Sequence, residues 1–143
     1  MTTVAFHLQV PDKFAYACRL LRKAVAKGAR LVVTADAPTL ARLNQDLWTF
    51  SGVDFVPHCH DSAPDRVVRR SPVVLAESPK ASGQTMTLIN LGHQIPTGFD
   101  GFGQVIEVIP MEDEDLRLAR ERWKYYAKAG YKPVMHDIGS KTV

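Results

Sequence analysis

Cysteine is scarce in this chain: Cys18 and Cys59 are the only two among 143 residues. Neither stands at a zinc-motif or redox-motif spacing, so a disulfide scaffold is excluded and a reduced, intracellular setting is expected. Long apolar runs are missing too. No stretch approaches the roughly 20 apolar residues that a membrane-spanning helix needs. The opening Met1-Thr2-Thr3-Val4-Ala5-Phe6-His7 has neither the basic start nor the apolar core of a secretory signal. A cytoplasmic protein without a membrane partner is the expectation. Strong charge of one sign is absent as well: 18 Lys+Arg against 15 Asp+Glu give +3, too little to argue for nucleic acid by itself. What is present is ordinary for a globular fold, with 45% hydrophobic and 23% charged residues. A chain of this length suits one domain, residues 1–143, burying on the order of 68% of its unfolded surface.

Hydrophobic periodicity then divides the chain. Residues 3–9 are β-prone and predict a first strand. Asp12 is a candidate N-cap for a helix running to about Gly28, with Phe14, Cys18, Leu21 and Val25 on one apolar face. Leu31-Val32-Val33-Thr34 predicts a short buried strand, and a helix from near Asp36 carries Leu40, Leu43 and Leu47. This β-α-β-α opening is the pattern of a right-handed parallel crossover. Residues 57–72, interrupted by Pro57, Pro64 and Pro72, read as an exposed loop. Strands are predicted at 73–77, 85–91 and 104–109, a last long helix at 112–129 closed by Gly130, and an extended tail at 131–143. The expected architecture is α/β: a three-layer, Rossmann-like domain with a mostly parallel central sheet.

The chemistry associated with such a fold is missing. A phosphate-binding turn needs glycines between the first strand and first helix, and the residues there are Gln9-Val10-Pro11-Asp12. No Gly-x-x-x-x-Gly-Lys-Ser/Thr loop occurs. Gly98, Gly101 and Gly103 lead into a strand and read as a turn. His58-Cys59-His60-Asp61 could offer metal ligands, but no second pair stands at zinc spacing. No Gly-x-Ser-x-Gly elbow organises a nucleophile. No catalysis, metal or cofactor is expected.

Two clusters remain. The last helix begins Glu112-Asp113-Glu114-Asp115 and then carries six bases from Arg117 to Lys132, a polarity that suits the helix dipole. Arg117, Arg120, Lys124 and Lys128 fall at helical spacing in one basic stripe, with Leu116 and Trp123 beside it. A solvated charged face fits this pattern, and so does an acceptor for an acidic segment with a hydrophobic end. Trp48, Phe50, Phe55 and Pro57 form the second cluster, readable as a minor core or as an exposed interface patch. A nucleotide-binding module, or direct binding of single-stranded DNA through the basic stripe, is the alternative class of function.

The order and spacing of several segments resemble the chi subunit family of bacterial DNA polymerase III. The likeness runs from Leu47-Trp48 and Phe55-Val56-Pro57-His58 through Leu88-Ile89-Asn90-Leu91 with Pro96. It continues through Phe102-Gly103-Gln104-Val105-Ile106-Glu107-Val108-Ile109-Pro110 to Leu118-Ala119-Arg120-Glu121-Arg122-Trp123-Lys124 and Ala129-Gly130-Tyr131. The resemblance implies a non-catalytic accessory subunit. Its partners would be the psi subunit, which leads to the clamp loader, and the acidic, Phe-ended C-terminal tail of single-stranded DNA-binding protein; DNA would be met mainly indirectly. Carried over by motif, Arg120 would hold the tail's terminal carboxylate, with Ile109 and Trp123 flanking the pocket. Leu116 stands where some members carry a base, leaving Arg117 or Lys124 to supply that charge. Trp48, Phe55 and Pro57 match the region facing psi.

Overall fold

The computed structural model of the chain describes residues 2–49, 56–79 and 86–138. Its strands are β1 (Thr3–Val10), β2 (Leu31–Thr34), β3 (His58–His60), β4 (Val73–Leu75), β5 (Thr87–Asn90), β6 (Gln104–Pro110) and β7 (Val134–Asp137). Its helices are α1 (Lys13–Ala26), α2 (Ala37–Thr49), α3 (Asp65–Arg70) and α4 (Asp113–Lys128), with a short 3-10 turn at Phe99–Gly101. The strands form one sheet in the order β3-β4-β2-β5-β6-β1-β7, and every described pairing is parallel.

A parallel sheet is covered on both sides, so its central strands are apolar throughout rather than alternating. All four residues of β2 are buried. Leu31 and Val33 face a cluster built from Ala17, Cys18 and Leu21 of α1 and Leu40, Leu43 and Leu47 of α2. Val32 faces the other way, toward Ala119 and Tyr126 of α4 and Phe99 of the 3-10 turn. The result is three layers, a Rossmann-like arrangement. Asp12 caps α1, its Oδ1 accepting from the Phe14 and Ala15 amides at 3.1 and 3.2 Å. The acid thus occupies the first-turn donors that a phosphate meets in a nucleotide-binding member of this architecture.

Along β1, Val4, Phe6 and Leu8 face α4, yet Val10 joins the α1–α2 side. Gln9 makes the change of face, with φ +57° and a break in the register with β6 between His7 and Val10. Alternation resumes in β6, where Val105, Glu107 and Ile109 stand on the α4 side of the sheet.

Two segments differ from the sequence reading. Residues 57–72 are not all loop: they hold β3 and α3. The tail at 131–143 contains β7, which pairs with β1 in the register His7↔His136. The strand predicted at 73–77 ends at Leu75, that at 85–91 spans Thr87–Asn90, and that at 104–109 extends to Pro110. Phe50 and Phe55 lie outside the described residues. Among the described residues, no helix is long and apolar enough to cross a membrane.

Candidate functional site

Helix α4 organises the most distinctive surface. Its first turn carries Asp113, Glu114 and Asp115 and its last turn Lys128, the polarity its dipole favours. Gly130, at φ +98°, ends it in a left-handed conformation that a side chain would strain. Its buried face is Ala119, Arg122 and Tyr126. One step around the helix, Leu116 and Trp123 are half-buried, and Arg120 and Lys124 are exposed.

These residues border an open groove of about 420 Å³ between α4 and the β1–β7 edge of the sheet. Its lining is Phe6 and Leu8 from β1, Met135 from β7, and Leu116, Ala119, Arg120, Trp123 and Lys124 from α4. The Trp123 ring lies 5.1 Å from that of Phe6, tilted by 57°, so the indole is supported from below. The walls are almost wholly apolar, with the two cations at the rim. Neither Arg120 nor Lys124 has a carboxylate partner among the described residues. Arg117, by contrast, reaches Glu114 at 2.6 Å and Glu121 at 3.8 Å. The hydrogen bond from Arg117 holds the Glu114 carboxyl below the usual carboxylate range.

The helix is fastened beneath by a buried polar network. Glu107 of β6 is fully buried and Arg122 is 5% exposed. Arg122 Nε donates to Glu107 Oε1 at 3.1 Å and its Nη1 to the His93 carbonyl at 2.9 Å. Tyr126 Oη donates to Oε2 at 2.8 Å, and Asn90 Nδ2 lies 3.0 and 3.1 Å from the two carboxylate oxygens. Burial pushes the Glu107 carboxyl up, with Arg122 and these hydrogen bonds pulling against it. Burial likewise pushes the Tyr126 phenol up, reinforced by Glu107.

The residues expected at this site are therefore only partly brought together. Leu116, Arg120, Trp123 and Lys124 line the groove. Ile109 does not: at 1% exposed it lies in the core beneath α4. Arg117 is absent from the lining and occupied by its acidic neighbours. Phe6, Leu8 and Met135 were not among the residues singled out; the alternation of β1 could have shown the first two, whereas Met135 gave no signal once its segment read as tail.

Of the second cluster, Trp48 is 62% exposed, and its ring meets His58 at 5.5 Å. Pro57, next to His58, is exposed beside it. The ring nitrogens of His58 are engaged by the Val56 carbonyl and Asn44, and His60 Nδ1 by Ser62. Among the described residues no three metal-ligating side chains gather.

Comparison with known proteins bears on the family and on the fold. The family model "DNA polymerase III chi subunit, HolC" matches residues 1–134. The chain is 29% identical to DNA polymerase III subunit chi of Pseudomonas aeruginosa over 146 residues, covering 96% of this chain and 98% of that protein. The subunit of the same name from Escherichia coli is 30% identical over 116 residues, 80% of this chain and 78% of that one. Among solved structures, the C-terminal domain of the DEAD-box protein Dbp5 superposes with a TM-score of 0.55 over 94% of this chain and 88% of that one. At 14% identity, that likeness concerns the fold alone.

Proposed function

The chain belongs to the DNA polymerase III chi subunit family, an accessory and not a catalytic subunit, and from that premise we propose that it is an adaptor with two docking surfaces. The α4 groove receives the acidic, Phe-ended C-terminal tail of single-stranded DNA-binding protein. The opposite edge of the sheet, around Trp48 and Pro57, receives the psi subunit and through it the clamp loader, and Phe55, two residues before Pro57 in sequence, is assigned to the same contact. The protein then works in the cytoplasm, at the replicating DNA.

One observation carries the tail reading: an apolar groove rimmed by two cations with no carboxylate partner among the described residues. A peptide ending in a phenylalanine presents both complements at once. Its ring would lie against Phe6, Trp123 and Met135, and its terminal carboxylate would meet the guanidinium fork of Arg120. Lys124 supplies a second charge toward the tail's acids, and Leu116 adds apolar wall where some relatives carry a base. Ile109 supports the floor from below instead of touching the peptide.

Trp48 supports the psi reading, since an indole left 62% exposed is a common anchor in protein interfaces. Its neighbour β3 and the groove's β7 are the two edges of the sheet. At roughly 4.8 Å per strand they stand about 29 Å apart, so the two partners can be held together without collision.

The test is fluorescence anisotropy of a labelled tail peptide. Binding is expected to be weak and to fall as salt rises from about 50 to about 500 mM. Arg120→Ala, or deletion of the final Phe, is expected to abolish it while leaving the melting temperature unchanged. Salt-independent binding, or full affinity in Arg120→Ala, would overturn the reading.

A further inference from the structure

Helix α3, which sequence reading treated as loop, carries an unexplained concentration of charge. Arg66, Arg69 and Arg70 stand at i, i+3 and i+4 and so share one helix face; all three are exposed. Arg30, from the turn before β2, joins them, its Nη2 donating to the Arg69 carbonyl at 2.7 Å. Among the described residues none of these four guanidiniums has a carboxylate within ion-pair distance. Elsewhere Arg42, Arg117 and Arg122 each have one.

Fold stability accounts for only part of the cluster. Arg69 and Arg70 lie in the last turn, where cations complement the dipole, and Arg30 satisfies a terminal carbonyl. Arg66 has no such benefit. It sits in the first turn, at the end the dipole makes unfavourable for a cation, and it faces two like charges one turn on.

We propose that Arg30, Arg66, Arg69 and Arg70 form a second binding surface, for the phosphate backbone of single-stranded DNA. Guanidinium forks match phosphate oxygens in geometry as well as charge. Helix α3 itself carries no aromatic residue, unlike α4, so its recognition is polar and electrostatic, as for a repeating phosphate chain. That the strand is single-stranded DNA rests on the tail reading above, because the owner of that tail coats such DNA. Helix α3 packs by the β3 edge, its Val68 joining the same apolar cluster as α4, and the groove borders β7 at the other edge. Tail and strand would therefore be gripped at opposite edges of the same face of the sheet.

The experiment is anisotropy of a labelled oligothymidylate, with no other protein present, titrated with the full chain across a salt series. Four neutralised phosphates predict a log–log salt slope of about −2.8. Arg66→Ser/Arg69→Ser/Arg70→Ser is expected to weaken binding at least tenfold at low salt and to flatten the slope by about 2. The triple lysine variant should keep most of the affinity. Arg66→Ser alone, which relieves repulsion and so keeps the fold, should flatten the slope by about 0.7. Arg120→Ala/Lys124→Ala should bind the oligonucleotide as the wild type does. The inference is overturned by a wild type that ignores the oligonucleotide at low salt or by serine variants that bind unchanged. Loss of binding in the Arg120/Lys124 pair instead, or polyglutamate held more tightly by the same arginines, overturns it too. Tail-peptide binding, measured on the same samples, reports the groove separately, so either surface can fail without the other.

Discussion

The two faces of the sheet are built by different rules. The face under α1 and α2 is closed and apolar: Leu21, Leu43 and Leu47 are each at most 2% exposed and meet Leu31, Val33 and Ile89. The face under α4 holds a carboxylate, a guanidinium, an amide and a phenol in its interior and opens beside them into the groove. Apolar burial is strong but has no preferred direction, so several nearby positions of a helix could satisfy it. A buried ion pair costs several kcal/mol per charge to desolvate and recovers it only in one geometry. The contrast teaches that the first face supplies stability and the second supplies position. Arg122 neighbours Trp123 and follows Arg120 by two residues, so the pair that fixes it also fixes the rim of the groove.

The sharpest break of this comparison is Arg122→Ala. It strands Glu107 without its partner and is expected to cost about 3–5 kcal/mol in urea unfolding. If Glu107 is removed with it, as Glu107→Leu/Arg122→Met, stability should return while tail affinity does not; recovery of both would show that the network is not a positioning device. Leu43→Ala tests the other face, with an expected loss of about 2–5 kcal/mol and no change in tail affinity at temperatures where it stays folded. Met135→Glu, on an exposed edge, should leave unfolding nearly untouched and weaken the tail about tenfold, or 1.4 kcal/mol. An unchanged affinity would remove β7 from the groove's working surface.

The smallest effect expected is that of Cys18. Burial first, and Asp46 and Asp12 after it, push its thiol up to about 11 from an ordinary 9. A folded pKa above the unfolded one means stability that is fully present below pH 9 and lost as pH rises through 11. Melting temperature followed from pH 8 to 11 should show a shallower alkaline decline in Cys18→Ala than in the wild type. An alkylating reagent at neutral pH should modify the half-buried Cys59 and spare Cys18.

How much of this could be read from the sequence depended on burial. β2 announces itself as an unbroken apolar run, and α1, α2 and α4 because each sets apolar residues at helical spacing against the core. β3 and β7 do not. His58-Cys59-His60 is short, polar and at an edge, and Val134 and Met135 are 53% and 61% exposed, so neither segment shows a strand's alternation. Four of the five groove residues on α4, Leu116, Arg120, Trp123 and Lys124, were readable from helical spacing and family motif together. The depth of Ile109 was not legible, because its strand position places it on the α4 side without saying that it lies 1% exposed beneath the groove. The Glu107–Arg122 pair was missed although its signal was there: an acid inside Val105-Ile106-Glu107-Val108-Ile109 stands where only a partnered charge is tolerated.

The parallel order of strands also sets a timetable. β1 lies between β6 and β7, and its Thr3 pairs with Gln104, about a hundred residues later in the chain. Contacts so distant in sequence slow folding, because a long loop must close before any of them forms. During synthesis the first strand and Phe6 emerge long before their neighbours exist. The groove is therefore among the last features to assemble on a nascent chain, and a ribosome stalled before residue 104 would release a chain whose oldest strand has nothing to pair with.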